Sequence, residues 1–441
     1  MKHLPEKTII KIFSFIDSHY FPILYYILKS LSFLKYPPSK GQLNDLLCWA
    51  ARKRDKDLCY LAKKWGATNF NKMITEAARA GDKYLCQLAK KWGATDFNGM
   101  LFNAAAGGHE HLFDLVKEWK KYCNPKTILH GAAFGGHGHL CYSIKDKVIA
   151  LGTSYLEENM NKMLFWAAKG GHEHLCYQAI EWGAKNLTEM LRGAAEGGHE
   201  YLCYLAKDIG GNDILWFSDM LYHATKGGHE NLCRLAKDWE KSDKFHFDHM
   251  LCVATENNHK HICYLAKEWG ADDFKSMLSI ASRNDYTELC CLAKEWGPKR
   301  FSPEDIQQMV LYNACKNNNM KLCYLAKEWG AWNFNNMLFY AAEYGHEELC
   351  YLAKKWGATN FNNMLQIAAE EGHEHICRLA KRWGANSFDK MLYRALKSKH
   401  KHLCSLAVKW GGEDVFDLLS NELNHYYESH QKLFCDSCFN S

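Results

Sequence analysis

Two strings in the chain carry residue types that could do chemistry. His-Glu-His-Leu-Cys, from His172 to Cys176, nearly recurs from His109 to Phe113, and paired imidazoles beside a thiol form a ligand set that zinc accepts. A site returning about every 27 residues would demand many metals, and the cysteine sits beside leucine on the apolar side of its run. These cysteines are therefore expected to be inert packing residues. The first His of the string follows the turn residue in nine places, where it is expected to satisfy free amides at the start of a helix. The second string lies in the tail: His425, His430, Cys435 and Cys438 run H-x4-H-x4-C-x2-C, enough for one tetrahedral zinc. That segment also reads as a polar capping helix from Val415 to Leu433. No nucleophile with a base and an orienting group stands out, nor a Gly-rich phosphate loop or a carboxylate pair, so no catalysis and no cofactor are expected.

The elements that hold these residues repeat. Cys59, Cys86, Cys141, Cys176, Cys203, Cys233, Cys263, Cys290, Cys323, Cys350, Cys377 and Cys404 share one register, with Phe113 filling its gap. The steps are 27, 27, 28, 35, 27, 30, 30, 27, 33, 27, 27 and 27 residues, which makes thirteen modules of a stacked array. From Phe97 to Trp119 one module shows two apolar runs at helical spacing separated by Gly108. Nine residues before the register position stands Ala in every module, small enough for helices to approach closely. Five before it comes a turn, Gly in eight modules and Asn at Asn258 and Asn318, the types that tolerate positive φ. Arg54 and Lys399 break that pattern in the first and last modules, where caps are expected. The extra residues of the longer steps are expected in the loop after Trp-Gly-Ala, and Lys145 to Glu158 reads as an irregular connection. The Lys-Glu-Trp and Lys-Lys-Trp stretches read as solvated edges with lysine stems over tryptophan.

Composition excludes several classes. The 441 residues are 47% apolar and 24% charged, with a formal charge of +5 and no basic block, so neither disorder nor nucleic-acid binding is expected. The start MKHLPEKTII carries no apolar run of a signal peptide, and Phe21 to Leu28 contains Pro22 and is too short to span a bilayer. With 19 cysteines, an odd count, the expectation is a reduced intracellular protein without membrane contact.

The recurring string x-Met-Leu-x-x-Ala-Ala-x-x-Gly-His-Glu-x-Leu-Cys-x-Leu-Ala-Lys-x-Trp-Gly-Ala resembles the ankyrin repeat. It looks most like the divergent ankyrin-type arrays of large nucleocytoplasmic DNA viruses, over roughly residues 41 to 411. The resemblance implies an all-α solenoid of about thirteen shortened helix-turn-helix units, acting as a monomer in the host cytoplasm. The usual unit of about 33 residues is cut to 27 here, which removes most of the β-hairpin finger and leaves helix faces as the expected contact surface.

Residues 4 to 17, LPEKTIIKIFSFID, fall outside the register and open with Pro5 and Glu6, a helix start, followed by the apolar stripe Ile9, Ile12, Phe13 and Ile16. The string resembles an F-box, which implies docking on the linker subunit of a cullin-type ubiquitin ligase through Leu4, Pro5, Ile9, Ile12 and Phe13. Pro22 and the missing closing Trp depart from that pattern, and the same stripe suits a cap for the array. Residues 1–40 are thus expected to form the F-box-like segment, 41–414 the array, and 415–441 a capping helix and tail.

The position ten before the register cysteine varies widely, from Trp49 to Arg394, and its helical phase turns it away from the Ala-Ala packing face. Varied residues on an otherwise constant unit suggest a recognition surface. Val253, Ile280, Tyr340 and Ile367 are its expected apolar centre, rimmed by Glu256, Arg283, Glu343 and Glu370 three residues further on. The expected function is recruitment of a target protein to a ligase; the alternatives are a scaffold or inhibitor without a ligase link, or a protein using the zinc tail.

Overall fold

A computed structural model describes residues 40–120, 123–150, 156–210, 217–239, 247–297 and 301–412. Every regular element among them is helical, and consecutive helices pair into the modules of an α-solenoid. By its contacts the chain divides into two units, one ending at Ile280 and one starting at Ala281.

Phe70–Arg79 and Lys83–Lys91 show how one module forms. Asn69 caps the first helix by accepting from the Lys72 amide at 3.0 Å, and Asp82 caps the second by accepting from Leu85 at 2.9 Å. Between them Gly81 turns the chain at φ 76°. Every one of the thirteen turn positions adopts this left-handed backbone, including Arg54 (59°), Asp285 (65°) and Lys399 (62°). The turn is therefore kept even where the residue type argues against it, because the helix pair needs it to fold back.

The core is the pairing seam. All thirteen alanines nine before the register are fully buried, as are the register cysteines except Cys404, which is half-buried. Burial pushes the thiols of Cys86 and Cys176 up to about 12, so they stay protonated packing groups. Phe113 is too large for this niche. It is half-buried, its helix opens with a 3-10 turn at Glu110–Leu112, and an open groove lies beside it, lined by Leu140, Ile144 and Lys147.

Two expectations about the long steps are corrected. The lengthening is not confined to the loop: Leu156–Gly170 starts one turn earlier than its counterparts, and so does the helical run from Pro303 through Lys316. In the latter, Ser302 and Asp305 form a capping box, and Ile306–Leu311 is wound as π-helix, which absorbs extra residues while Ala314 and Cys323 keep the register. Nor is Lys145 to Glu158 irregular throughout. Gly138–Ile149 is one helix and Leu156 begins the next, leaving 151–155 outside the described residues.

Neighbouring modules are tied by two rows of polar contacts. In one, a side chain near the start of a first helix accepts two amides of the next module: Asn71 from Thr95 (2.7 Å) and Asp96 (3.0 Å), Asn362 from Asn386 (2.8 Å) and Ser387 (3.1 Å). In the other, the His after the turn reaches back. His137 donates to the Ala106 carbonyl (3.2 Å), His199 to Lys169 (3.2 Å) and His373 to Glu343 (3.0 Å). The expectation that these histidines cap their own helices is thus corrected, since no side-chain cap bond forms at His137, His172 or His373. They satisfy carbonyls left over at the end of the preceding first helix. On the second-helix side, lysine ammonium groups lie over tryptophans one module on, as Lys63 over Trp92 at 4.4 Å and Lys354 over Trp383 at 4.5 Å.

Candidate partner-binding faces

Helix phase decides where the variable line points. None of its thirteen positions is fully exposed: Gly131, Gly193 and Val253 are buried and the rest half-buried. The line lies in the seam between consecutive first helices, less open than its periodicity suggests. A Cβ on Gly131 would stand 2.3 Å from the Phe102 carbonyl oxygen, and one on Gly193 2.1 Å from that of Phe165. Where the residue is Glu, His or Arg, it reaches the residue seven before the register cysteine in the previous module. Arg52 thus pairs with Glu76 at 2.9 Å, Glu196 with His223 at 2.8 Å and Glu370 with Arg394 at 2.6 Å.

The predicted contact residues fall in both units. In the first, Val253 is buried with 4% of its surface exposed, Ile280 is half-buried and Glu256 is exposed. In the second, Arg283 is exposed, and Tyr340, Ile367, Glu343 and Glu370 are half-buried. Tyr340 packs edge-on against Tyr312 at 4.8 Å, and the Tyr312 and Tyr344 hydroxyls meet at 3.0 Å. Leu4, Pro5, Ile9, Ile12 and Phe13, and the tail residues His425, His430, Cys435 and Cys438, lie outside the described residues. Among the described residues no His, Cys, Asp or Glu group gathers as a metal site, and no helix is long and apolar enough to cross a membrane.

Periodicity did not reveal what the first unit assembles on its first-helix face. Phe102, Phe134 and Trp166, from three successive modules, form one cluster with centroids 6.0 Å (Phe102 to Phe134), 4.7 Å (Phe102 to Trp166) and 5.8 Å (Phe134 to Trp166) apart. Phe165 joins it at 5.1 Å from Trp166. The close approach of Gly131 to the Phe102 carbonyl and the Ala105 methyl brings these rings together, and they are half-buried. The Arg79 guanidinium lies 5.4 Å from the centre of the Phe134 ring, and the Lys169 ammonium 5.1 Å from that of Trp166.

Beyond the rings sits Glu196, its side chain only 6% exposed, bonded by Lys169 (2.7 Å), Lys226 (3.0 Å) and His223 (2.8 Å). Burial pushes its carboxyl up, but the bonds from His223, Lys169 and Lys226 outweigh this and hold it well below the usual carboxylate range. Arg192 is likewise shared between Glu189 (2.8 Å) and Asp219. The alternation Lys169, Glu196, Lys226 along one line was the available sequence signal, since these residues share one position of three successive modules.

No protein-family model matches the chain, and no curated protein matches it. It is similar to a solved structure described as a "Circular tandem repeat protein with novel repeat topology and enhanced subunit contact surfaces", at 17% identity, over 89% of this chain and 84% of that one, with a TM-score of 0.11.

Proposed function

We propose that the array is a protein-binding scaffold of shortened ankyrin-type repeats, and that its N-terminal segment links it to a cullin-type ubiquitin ligase. The observation that carries the binding reading is the contrast on each first helix: a fully buried Ala that never changes, and beside it a line of residues that differs from module to module and stays half-buried, not buried, at ten of its thirteen positions. The ligase link rests on the resemblance of residues 4 to 17 to an F-box. Its mechanism is proximity: the array raises the effective concentration of a bound target near the ligase, with no chemistry of its own. A viral protein acting in the host cytoplasm fits the resemblance of residues 41 to 411 to the ankyrin-type arrays of large nucleocytoplasmic DNA viruses.

Co-purification with the cullin linker subunit tests the link. Binding that is lost in the Ile12→Asp, Phe13→Asp double variant, while circular dichroism of the array is unchanged, supports it. Linker binding that is absent, or that survives the double change, removes it and leaves a scaffold or inhibitor. Zinc found in the purified chain, and lost in Cys435→Ser with Cys438→Ser, would instead favour the tail site.

A further inference from the structure

We infer that the first-helix face of the first unit, from Arg79 to Lys226, binds an acidic peptide segment that carries aromatic side chains. This rests on the protein-binding reading above and names the chemistry of one partner. Three observations converge on it. Arg79 is exposed, and among the described residues no carboxylate pairs with it; its guanidinium lies against Phe134 alone. Lys169 and Lys226 share the single carboxylate of Glu196, to which His223 is also bonded, so two ammonium groups meet one carboxylate there, with Lys226 still 41% exposed. Between these two ends lie the rings of Phe102, Phe134, Phe165 and Trp166, half-buried beside the close approach of Gly131 to the Phe102 carbonyl.

Charge complementarity selects the occupant. An arginine whose guanidinium faces a ring and meets no carboxylate has its N–H donors free for a bidentate carboxylate, and an aromatic side chain of the ligand would meet the ring cluster edge to face. A nucleic-acid backbone fits less well. It would need a continuous run of free cations, whereas Lys169, Arg192 and Lys226 are already paired with Glu189, Glu196 and Asp219, which leaves Arg79 and the exposed part of Lys226 as separate anchoring points for single carboxylates.

The test uses the full chain and a fluorescein-labelled synthetic peptide alternating Glu and Phe, compared by anisotropy with Gln–Phe, Glu–Ser and Lys–Phe peptides and a single-stranded oligonucleotide. The Glu–Phe peptide is expected to bind best, to weaken with added salt, and to lose about tenfold or more in affinity in Arg79→Gln with Lys226→Gln. Trp166→Ala is expected to weaken it too; should that variant misfold, the surface pair Arg79→Gln and Lys226→Gln still decides. Equal binding of the Gln–Phe or Glu–Ser peptide, preference for the oligonucleotide, or affinity unchanged by the double substitution overturns the inference. A natural partner retained by the array despite Arg79→Gln and Lys226→Gln would overturn it while leaving the broader protein-binding reading standing.

Discussion

The imidazole Nε2 of His172 donates to the carbonyl oxygen of Phe134 at 3.1 Å, across the boundary between two modules. The same ring fills the space over the preceding turn: a Cβ on Gly136 would stand 2.6 Å from its Cε1. The pairing is general. Each of the eight turn glycines precedes a module that opens with His, whereas Arg54, Asn258 and Asp285 precede Asp82, Tyr286 and Asn319. Among the non-glycine turns followed by another module, Asn318 is the exception that precedes a histidine, His346, whose bond to the Lys316 carbonyl is 3.4 Å.

Gly136→Ala therefore meets two obstacles, a backbone at φ 79° and the His172 ring. It is expected to lower stability by about 1 to 3 kcal/mol. His172→Ala is expected to remove about 1 kcal/mol with its hydrogen bond. Combined, the two should cost less than their sum, because removing the ring frees the space the new methyl needs. Urea unfolding of the four proteins measures this, and strict additivity would show that ring and turn are independent.

The histidine row makes the array sensitive to acid. Burial lowers the imidazoles of His109, His172 and His229 against the opposing effect of their carbonyl bonds, and neighbouring histidines lower them further. Burial, with Lys162 nearby, brings His130 down to about 4, and its Nε2 is buried without a partner. The unfolded chain takes up these protons near the ordinary histidine value of about 6.5. The folded chain resists until lower pH, so stability is full above that value and falls as pH drops towards about 4. The thermal midpoint is expected to fall steadily from pH 7.5 to 5 and less steeply in His130→Gln; a flat profile in the parent would refute the assignment.

Asp285 works in the opposite direction. Burial raises its carboxyl to about 6, partly offset by the bond from Asn319 at 2.6 Å, so the charged form is disfavoured in the fold and stability falls as pH rises through that value. Asn258 and Asn318 occupy the same turn position at φ 60° and 55°. Asp285→Asn is accordingly expected to stabilise the chain by about 1 to 2 kcal/mol at pH 7.5. The gain should shrink towards pH 4, and a loss of stability at pH 7.5 would show that the carboxylate is favoured where it stands.

The array itself was legible because its signals are local and periodic. Ala and Cys in one register, apolar residues at helical spacing and a Gly or Asn turn specify two helices and their hairpin from within a single module. That the turn holds at Arg54, Asp285 and Lys399 shows the repeat's demand overriding single-residue preference. What one module could not reveal is its contact with the next. The partner of His172 lies 38 residues away and that of His223 lies 27 away. Which side chains meet thus depends on module length and on how closely two first helices approach at a glycine such as Gly131 or Gly193. Helical phase within one helix placed the variable line towards solvent; packing of the neighbouring helix turned it into a seam. The half-buried aromatic cluster beside that seam was decided by tertiary structure, because its residues come from successive modules and become one surface only when those modules stack.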